Sequence, residues 1–278
     1  MSYTSGLSYL PRPSPIHSLN GSSKLMMVIL YSLAAMITYD TRFLVFLIVC
    51  SCAVFSAARV KLSEIRYVLV FIAALMAVNT LVVYLFSPEE GVRIYGTRHE
   101  IFKIAGRYTI TLEQLFYMLN LVLKYFSVMP MALIFVTTTE PSEFASSLNM
   151  VGVSYRVAYA VALALRYIPD IQRSFFEISQ AQQARGIDMS RKAGLVTRVK
   201  NVSAILFPLI FTSLGRIQTI SNAMELRGFG KNNRRTWYRA RPFKARDFAA
   251  AAIPAVLVSA ALWLNFVNGG RFYNPFLI

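Results

Sequence analysis

The sequence predicts an all-α polytopic membrane protein, with about five transmembrane helices and three amphipathic helices on the cytoplasmic side. Three observations predict it. Of 278 residues, 56% are hydrophobic and only 15% charged, against roughly 25% charged in a soluble protein. Several apolar runs approach or exceed the roughly 17–25 residues that a hydrocarbon core of about 30 Å requires. The net charge of +16, from 29 Lys and Arg against 13 Asp and Glu, is gathered mostly into one block, as in the cytoplasmic loops of membrane proteins. The same composition excludes disorder, collagen-like repeats and a disulfide scaffold.

The N-terminal stretch is polar and holds Pro11, Pro13 and Pro15, and no apolar run begins before Lys24, so a cleavable signal peptide is not expected. Residues 25–39 and 43–58 are short spans separated only by Asp40, Thr41 and Arg42, which makes them a helical hairpin. Residues 67–86 form a 20-residue run without a charge. Residues 114–136 follow with Lys124 near their middle, a position that costs about 2.5–3.5 kcal/mol unless the ammonium snorkels or faces the protein interior. The last span is 248–268, with Trp263 toward its far end. Between the third and fourth spans, residues 87–113 carry four basic and four acidic groups. Partial alternation of Val92, Ile94, Ile101, Ile104, Tyr108 and Ile110 around Gly96, Thr97 and Gly106 suggests a small β-hairpin there.

Residues 137–247 hold 17 basic and 7 acidic side chains, a net +10. The positive-inside rule then places the N-terminus inside, Arg59, Lys61 and Arg66 inside, 87–113 outside, 137–247 inside and the C-terminus outside. Three domains follow: 1–136 with four spans, 137–247 as a cytoplasmic helical block, and 248–278 as the last span and external end. Within the block, Thr139-Glu140-Pro141 starts a short helix carrying Phe144, Leu148 and Val151 and ended by Gly152. A second helix starts near Ser154, is expected to kink or break at Pro169, and resumes through Ile171, Phe175, Ile178 and Gln182. A third begins near Leu195 and runs past Pro208 through Leu206, Leu209, Ile217, Ile220 and Met224. These helices are too polar for spans and suit an interface.

Both long helices end alike. Residues 181–187 read AQQARGI and residues 223–229 read AMELRGF, each an Ala, three residues, then Arg-Gly and an apolar residue. Glycine favours the left-handed turn after a helix, and arginine suits its negative end. Two such tips in one block can also offer guanidinium groups to carboxylates on a soluble partner.

At these residues the sequence resembles the transmembrane coupling (T) subunit of energy-coupling factor transporters, the EcfT/CbiQ-like family of ABC-type importers for vitamins and metal ions. The resemblance rests on Ser14-Pro15-Ile16-His17-Ser18-Leu19, on Thr137-Thr138-Thr139-Glu140-Pro141 and on Leu163-Ala164-Leu165-Arg166-Tyr167-Ile168-Pro169. It rests also on Ala184-Arg185-Gly186 and on Leu226-Arg227-Gly228, where the family more often has Ala before Arg. It implies that Ala184, Arg185, Gly186, Leu226, Arg227 and Gly228 dock two cytoplasmic ABC ATPase subunits. Phe144, Leu148, Phe175, Ile178 and Leu206, on the coupling helices, would face a small substrate-binding (S) subunit in the bacterial cell membrane. ATP and Mg would be bound by the ATPases and no cofactor by this chain, which would transmit work without catalysing a reaction. The sequence contains no Gly-rich Lys-Ser/Thr phosphate loop.

Rival readings have less behind them. A stand-alone secondary transporter or permease predicts inverted repeats and broken polar helices at the midplane, and the internal echo instead falls in the basic block. A membrane enzyme needs converging side chains, whereas Glu64, Glu113, Glu140, Glu143 and Glu225 are dispersed. Cys50 and Cys52, two apart in an apolar run, point to different faces of a helix, and His17 and His99 stand far apart, so neither a disulfide nor a zinc site is expected. The basic run from Arg234 through Arg235, Arg239, Arg241 and Lys244 to Arg246 precedes a span and suits anionic headgroups better than nucleic acid.

Overall fold

A computed structural model describes residues 13–105, 108–187, 195–232, 236–237 and 241–277. The chain divides into two units, Met1–Glu140 with Arg241–Ile278, and Pro141–Ala240.

The first unit is built on α1 (Gly21–Ile37), α2 (Thr41–Ala58), α3 (Leu62–Phe86), α5 (Leu112–Thr138) and α9 (Ala245–Val267). Short polar residues set the starts. Asn20 accepts a hydrogen bond from the Ser22 amide, Asp40 from the Arg42 amide and Thr111 from the Gln114 amide, each satisfying a helix donor that would otherwise be unpaired. α1 lies between α5 and α9, and α2 packs on α5. The core joins Tyr31, Ala34, Phe43, Leu47, Met131 and Ala261. Alanines at these contacts let the helix backbones approach, which matters where lipid supplies no hydrophobic drive between helices.

Polar side chains tie the helix ends. Lys24 Nζ donates to the Thr138 carbonyl at 2.9 Å, Asn265 to Ile37 at 3.1 Å, and Asp247 accepts the Asn20 amide at 2.7 Å. Lys124 is buried and faces the protein interior, donating to the Met36 carbonyl at 3.0 Å with its ammonium 3.6 Å from the centre of the Tyr39 ring. The Asp40 carboxylate accepts from Asn268 at 2.9 Å and from the Arg42 guanidinium at 3.3 Å. Burial works to raise its pKa, but these bonds together outweigh it and hold the carboxyl below its ordinary range.

Four findings refine the sequence reading. The hairpin exists as β1 (Glu100–Ala105) against β2 (Tyr108–Thr111), antiparallel, but Val92 and Ile94 belong to a short helix, α4 (Glu90–Tyr95). Gly96, at φ 71, stops α4 before a strand can begin, and the expected turn at Gly106 lies outside the described residues.

Pro169 does not break the second helix of the basic block. α7 runs uninterrupted from Tyr155 to Ala184, and α8 (Leu195–Leu226) likewise holds Pro208. A proline removes one backbone donor without having to end the helix, and α7 meets the α8 segment on both sides of it, through Gln182 to Ala204 and through Tyr159 to Phe229.

The set of long apolar helices also differs. α8 is long and apolar enough to cross a membrane, whereas α1, at 17 residues, is shorter than the other spans. α1 nonetheless packs between α9 and α5 in the first unit, while α8 pairs with α7, which carries Arg156, Arg166, Asp170, Arg173 and Glu177. Of the basic run, Arg234, Arg235 and Arg239 lie outside the described residues, and Arg241 donates to the His17 carbonyl at 3.2 Å.

Candidate coupling site

The second unit contains α6 (Pro141–Met150), α7 and α8. α7 and α8 form an antiparallel pair held at both ends. Near the end of α7, Gln182 Nε2 donates to the Ala204 carbonyl of α8 at 3.2 Å. At the other end Phe229, just past α8, lies 4.8 Å from the Tyr159 ring and 5.6 Å from the Tyr155 ring of α7. The two Arg-Gly turns therefore occupy opposite ends of one helical hairpin. From Tyr159, opposite Phe229, to Arg185 is 26 residues of α7, which at 1.5 Å per residue is about 39 Å.

The two turns are the same structure. After α7, Gly186 sits at φ 86, its amide donates to Gln183 at 3.0 Å, and the Ile187 amide reaches back to Gln182 at 3.1 Å. After α8, Gly228 sits at φ 64, its amide donates to Glu225 at 2.8 Å, and the Phe229 amide reaches Met224 at 2.9 Å. Both are Schellman turns, in which a left-handed residue lets the last helix carbonyls find donors. Only glycine takes that conformation without strain, which accounts for Gly186 and Gly228.

The arginines need another reason. α6 and α9 end in the same turn, at Gly152 (φ 107) and Gly269 (φ 66), with Val151 and Asn268 in the slot before glycine. A Schellman turn thus accepts a valine or an asparagine where Arg185 and Arg227 stand. Both arginines are exposed, as are Ala184 and Gly186, and Leu226 is 91% exposed, while Gly228 is half-buried. An apolar side chain so open at a helix end, beside a guanidinium able to make two parallel hydrogen bonds, suits a groove with an apolar wall and a carboxylate.

Among the residues expected to face a substrate-binding subunit, Phe144 and Leu148 of α6 and Phe175 and Ile178 of α7 are half-buried, and Leu206 of α8 is 42% exposed. Leu206 continues into a broad exposed apolar surface with Val202, Phe207, Ile210, Phe211 and Ile217. A surface of that extent marks contact with lipid or protein.

One group of residues escaped the sequence reading. Tyr155, Tyr159, Phe229 and Trp237 form an aromatic cluster at the Arg227 end, with Trp237 5.6 Å from Tyr155 and 6.4 Å from Tyr159. The Tyr155/Tyr159 pair at i,i+4 was the available signal, but nothing local links it to a phenylalanine 70 residues away.

Residues 12–238 match a family model described as CbiQ, cobalt transport protein. An energy-coupling factor transporter transmembrane protein EcfT of Exiguobacterium sibiricum is 24% identical over 273 residues, covering 94% of this chain and 98% of the relative. The EcfT of Lactococcus lactis subsp. cremoris is 27% identical over 264 residues, covering 92% and 96%. A protein of Bifidobacterium longum described as an ABC transporter ATP-binding protein is 28% identical over 224 residues, which is 76% of this chain but 27% of that protein. The match spans most of the chain and takes in both Arg-Gly turns: this chain belongs to the CbiQ family of cobalt transport proteins.

Proposed function

We propose that this chain is the transmembrane coupling subunit of an energy-coupling factor ABC importer for a vitamin or a metal ion. It sits in the bacterial cell membrane with its N-terminus and residues 137–247 inside and its C-terminus outside. Arg185 and Arg227, with Gly186 and Gly228 behind them, each dock one ABC ATPase subunit, and Ala184 and Leu226 lie against the groove wall. The exposed apolar surface around Leu206, with Phe144, Leu148, Phe175 and Ile178, serves a substrate-binding subunit. ATP and Mg belong to the ATPases, and this chain passes their motion on without chemistry of its own.

The observation that carries this reading is the pair of identical Arg-Gly turns at opposite ends of one hairpin, about 39 Å apart. A single anchor permits rotation about itself. Two anchors on one stiff element convert closure of an ATPase pair into displacement of that element. The Bifidobacterium longum relative, whose name refers to ATP binding, adds support, since a stretch like this chain forms part of that larger protein.

The test is affinity capture of the tagged chain from native membranes in mild detergent, with mass spectrometry of what accompanies it. Two ABC ATPases and a small multi-span protein are the expected companions. A chain that comes out alone and moves a solute in liposomes without ATP would overturn the reading in favour of a secondary transporter.

A further inference from the structure

We propose that the aromatic cluster of Tyr155, Tyr159, Phe229 and Trp237 is a transmission clamp that carries displacement of the Arg227 turn into the α6–α7 elbow, with Trp237 as a positioning residue for coupling. The proposal rests on the coupling function proposed above. The chain leaves α8 through Gly228 at φ 64 and Gly230 at φ 84, two left-handed glycines within three residues. Glycine joints swivel easily, and a push delivered at Arg227 would be lost there unless the joint were braced.

The brace is built from three elements. The Phe229 ring, between the two glycines, packs 4.8 Å from Tyr159 and 5.6 Å from Tyr155 at the start of α7. Arg156, one residue into the same turn, donates from Nη2 to the Gly230 carbonyl at 3.3 Å. Trp237 closes the cluster from the other side and donates from Nε1 to Asn149 Oδ1 at 3.2 Å, on the last turn of α6. Asn149 Nδ2 in turn donates to the Val153 carbonyl at 2.9 Å, across the turn at Gly152 with φ 107. Two glycine-bearing turns, one leaving α8 and one joining α6 to α7, are thus fastened to each other through four rings and hydrogen bonds on either side. Ring separations of about 4.5–7 Å are those at which aromatic pairs attract, and packed contacts of this kind shift as a unit.

The test uses the assembled complex with its ATPases, carrying wild-type, Trp237→Ala, Phe229→Ala or Trp237→Phe chain. Amide hydrogen exchange is followed with ADP or with a non-hydrolysable ATP analogue. In wild type the nucleotide should change exchange at Gly152 and Val153 at least ten-fold. In both alanine variants that response should fall below two-fold, while the ATPases retained per chain stay within two-fold and the response at Gly228 persists. Trp237→Phe, which keeps a ring, should recover at least half of it. A full response at Gly152 and Val153 in both alanine variants would overturn the clamp, as would loss of the ATPases from all three variants, which would make the cluster merely structural. If wild type captures no ATPase, the coupling function itself is wrong. The clamp then still predicts at least ten-fold faster exchange at Gly152 and Val153 in the isolated Trp237→Ala chain, and unchanged exchange there refutes it.

Discussion

Replacing Arg185 with glutamate separates what the α7 end needs for folding from what it needs for docking. The turn is closed by Gly186 at φ 86 and by backbone bonds of 3.0 and 3.1 Å from Gly186 and Ile187, none of which uses the arginine side chain. Losing a cation at a helix C-terminus costs about 0.3–1 kcal/mol, and placing an anion there costs about as much again, so folding should weaken by no more than ~2 kcal/mol. On the docking side, a charge-paired guanidinium replaced by a facing carboxylate costs roughly 2–5 kcal/mol, a loss in affinity from about 30-fold to several thousand-fold. Sites about 39 Å apart are well beyond the roughly 10 Å within which substitutions couple. Arg185→Glu and Arg227→Glu should therefore each weaken one docking event, with free energies that add in the double variant. The assay titrates the purified ATPases onto the chain in nanodiscs, with thermal unfolding followed in parallel. Gly186→Ala is the reciprocal control. An added Cβ meets nothing within 4 Å, so only the left-handed backbone penalty of about 1–2 kcal/mol remains, felt in the stability of the α7 end. A folded Arg185→Glu chain that binds the ATPases with wild-type affinity would refute the reasoning.

Three further outcomes follow from the membrane unit. A Cβ added at Gly91 would lie 2.5 Å from backbone atoms of Glu113 and Gln114, so Gly91→Ala should lower stability by at least ~1–3 kcal/mol, read by thermal unfolding, and leave ATPase binding unchanged. Lys124→Met keeps the volume and removes a buried charge, so it should shift stability by less than ~2 kcal/mol, whereas Lys124→Glu sets a carboxylate against the Met36 carbonyl and the Tyr39 ring and should cost ~3 kcal/mol or more, visible as loss of folded chain in the membrane. Asp40 has a folded pKa below its ordinary 3.8. Its contribution is therefore present above the unfolded pKa and is lost as pH falls through the folded value, and Asp40→Asn should flatten the acid limb of the stability curve below about pH 4 while leaving its shape at neutral pH unchanged.

What the sequence reveals of the fold follows from how local each signal is. The short spans α1 and α2, the charge-free run of α3 and the interior-facing Lys124 are legible because lipid forces long apolar runs and penalises any charge within them. A packed hairpin of α1 and α2 is not what forms, since α1 packs on α9 and α5 and α2 on α5. The Arg-Gly echo is legible because a Schellman turn is a short backbone motif with a fixed residue order. α4 is not, because a six-residue helix has too little periodicity to compete with the alternation of Val92 and Ile94. Unbroken α7 is not, because Pro169 removes a backbone donor and locally reads as a break. The aromatic cluster lies furthest from sequence, since Tyr155 and Trp237 meet only once α7 and α8 have paired.

The central claim is that the two Arg-Gly turns hold two separate ATPases at once. Site-specific cross-linking tests it most directly, from Ala184→Cys and Leu226→Cys, alone and together, in a chain whose Cys50 and Cys52 are changed to serine, in native membranes. Both positions are exposed. Each single variant should capture one ATPase subunit, and the double variant should trap two ATPase molecules on one chain. No ATPase at either position, or a single ATPase molecule bridging both, would contradict the account.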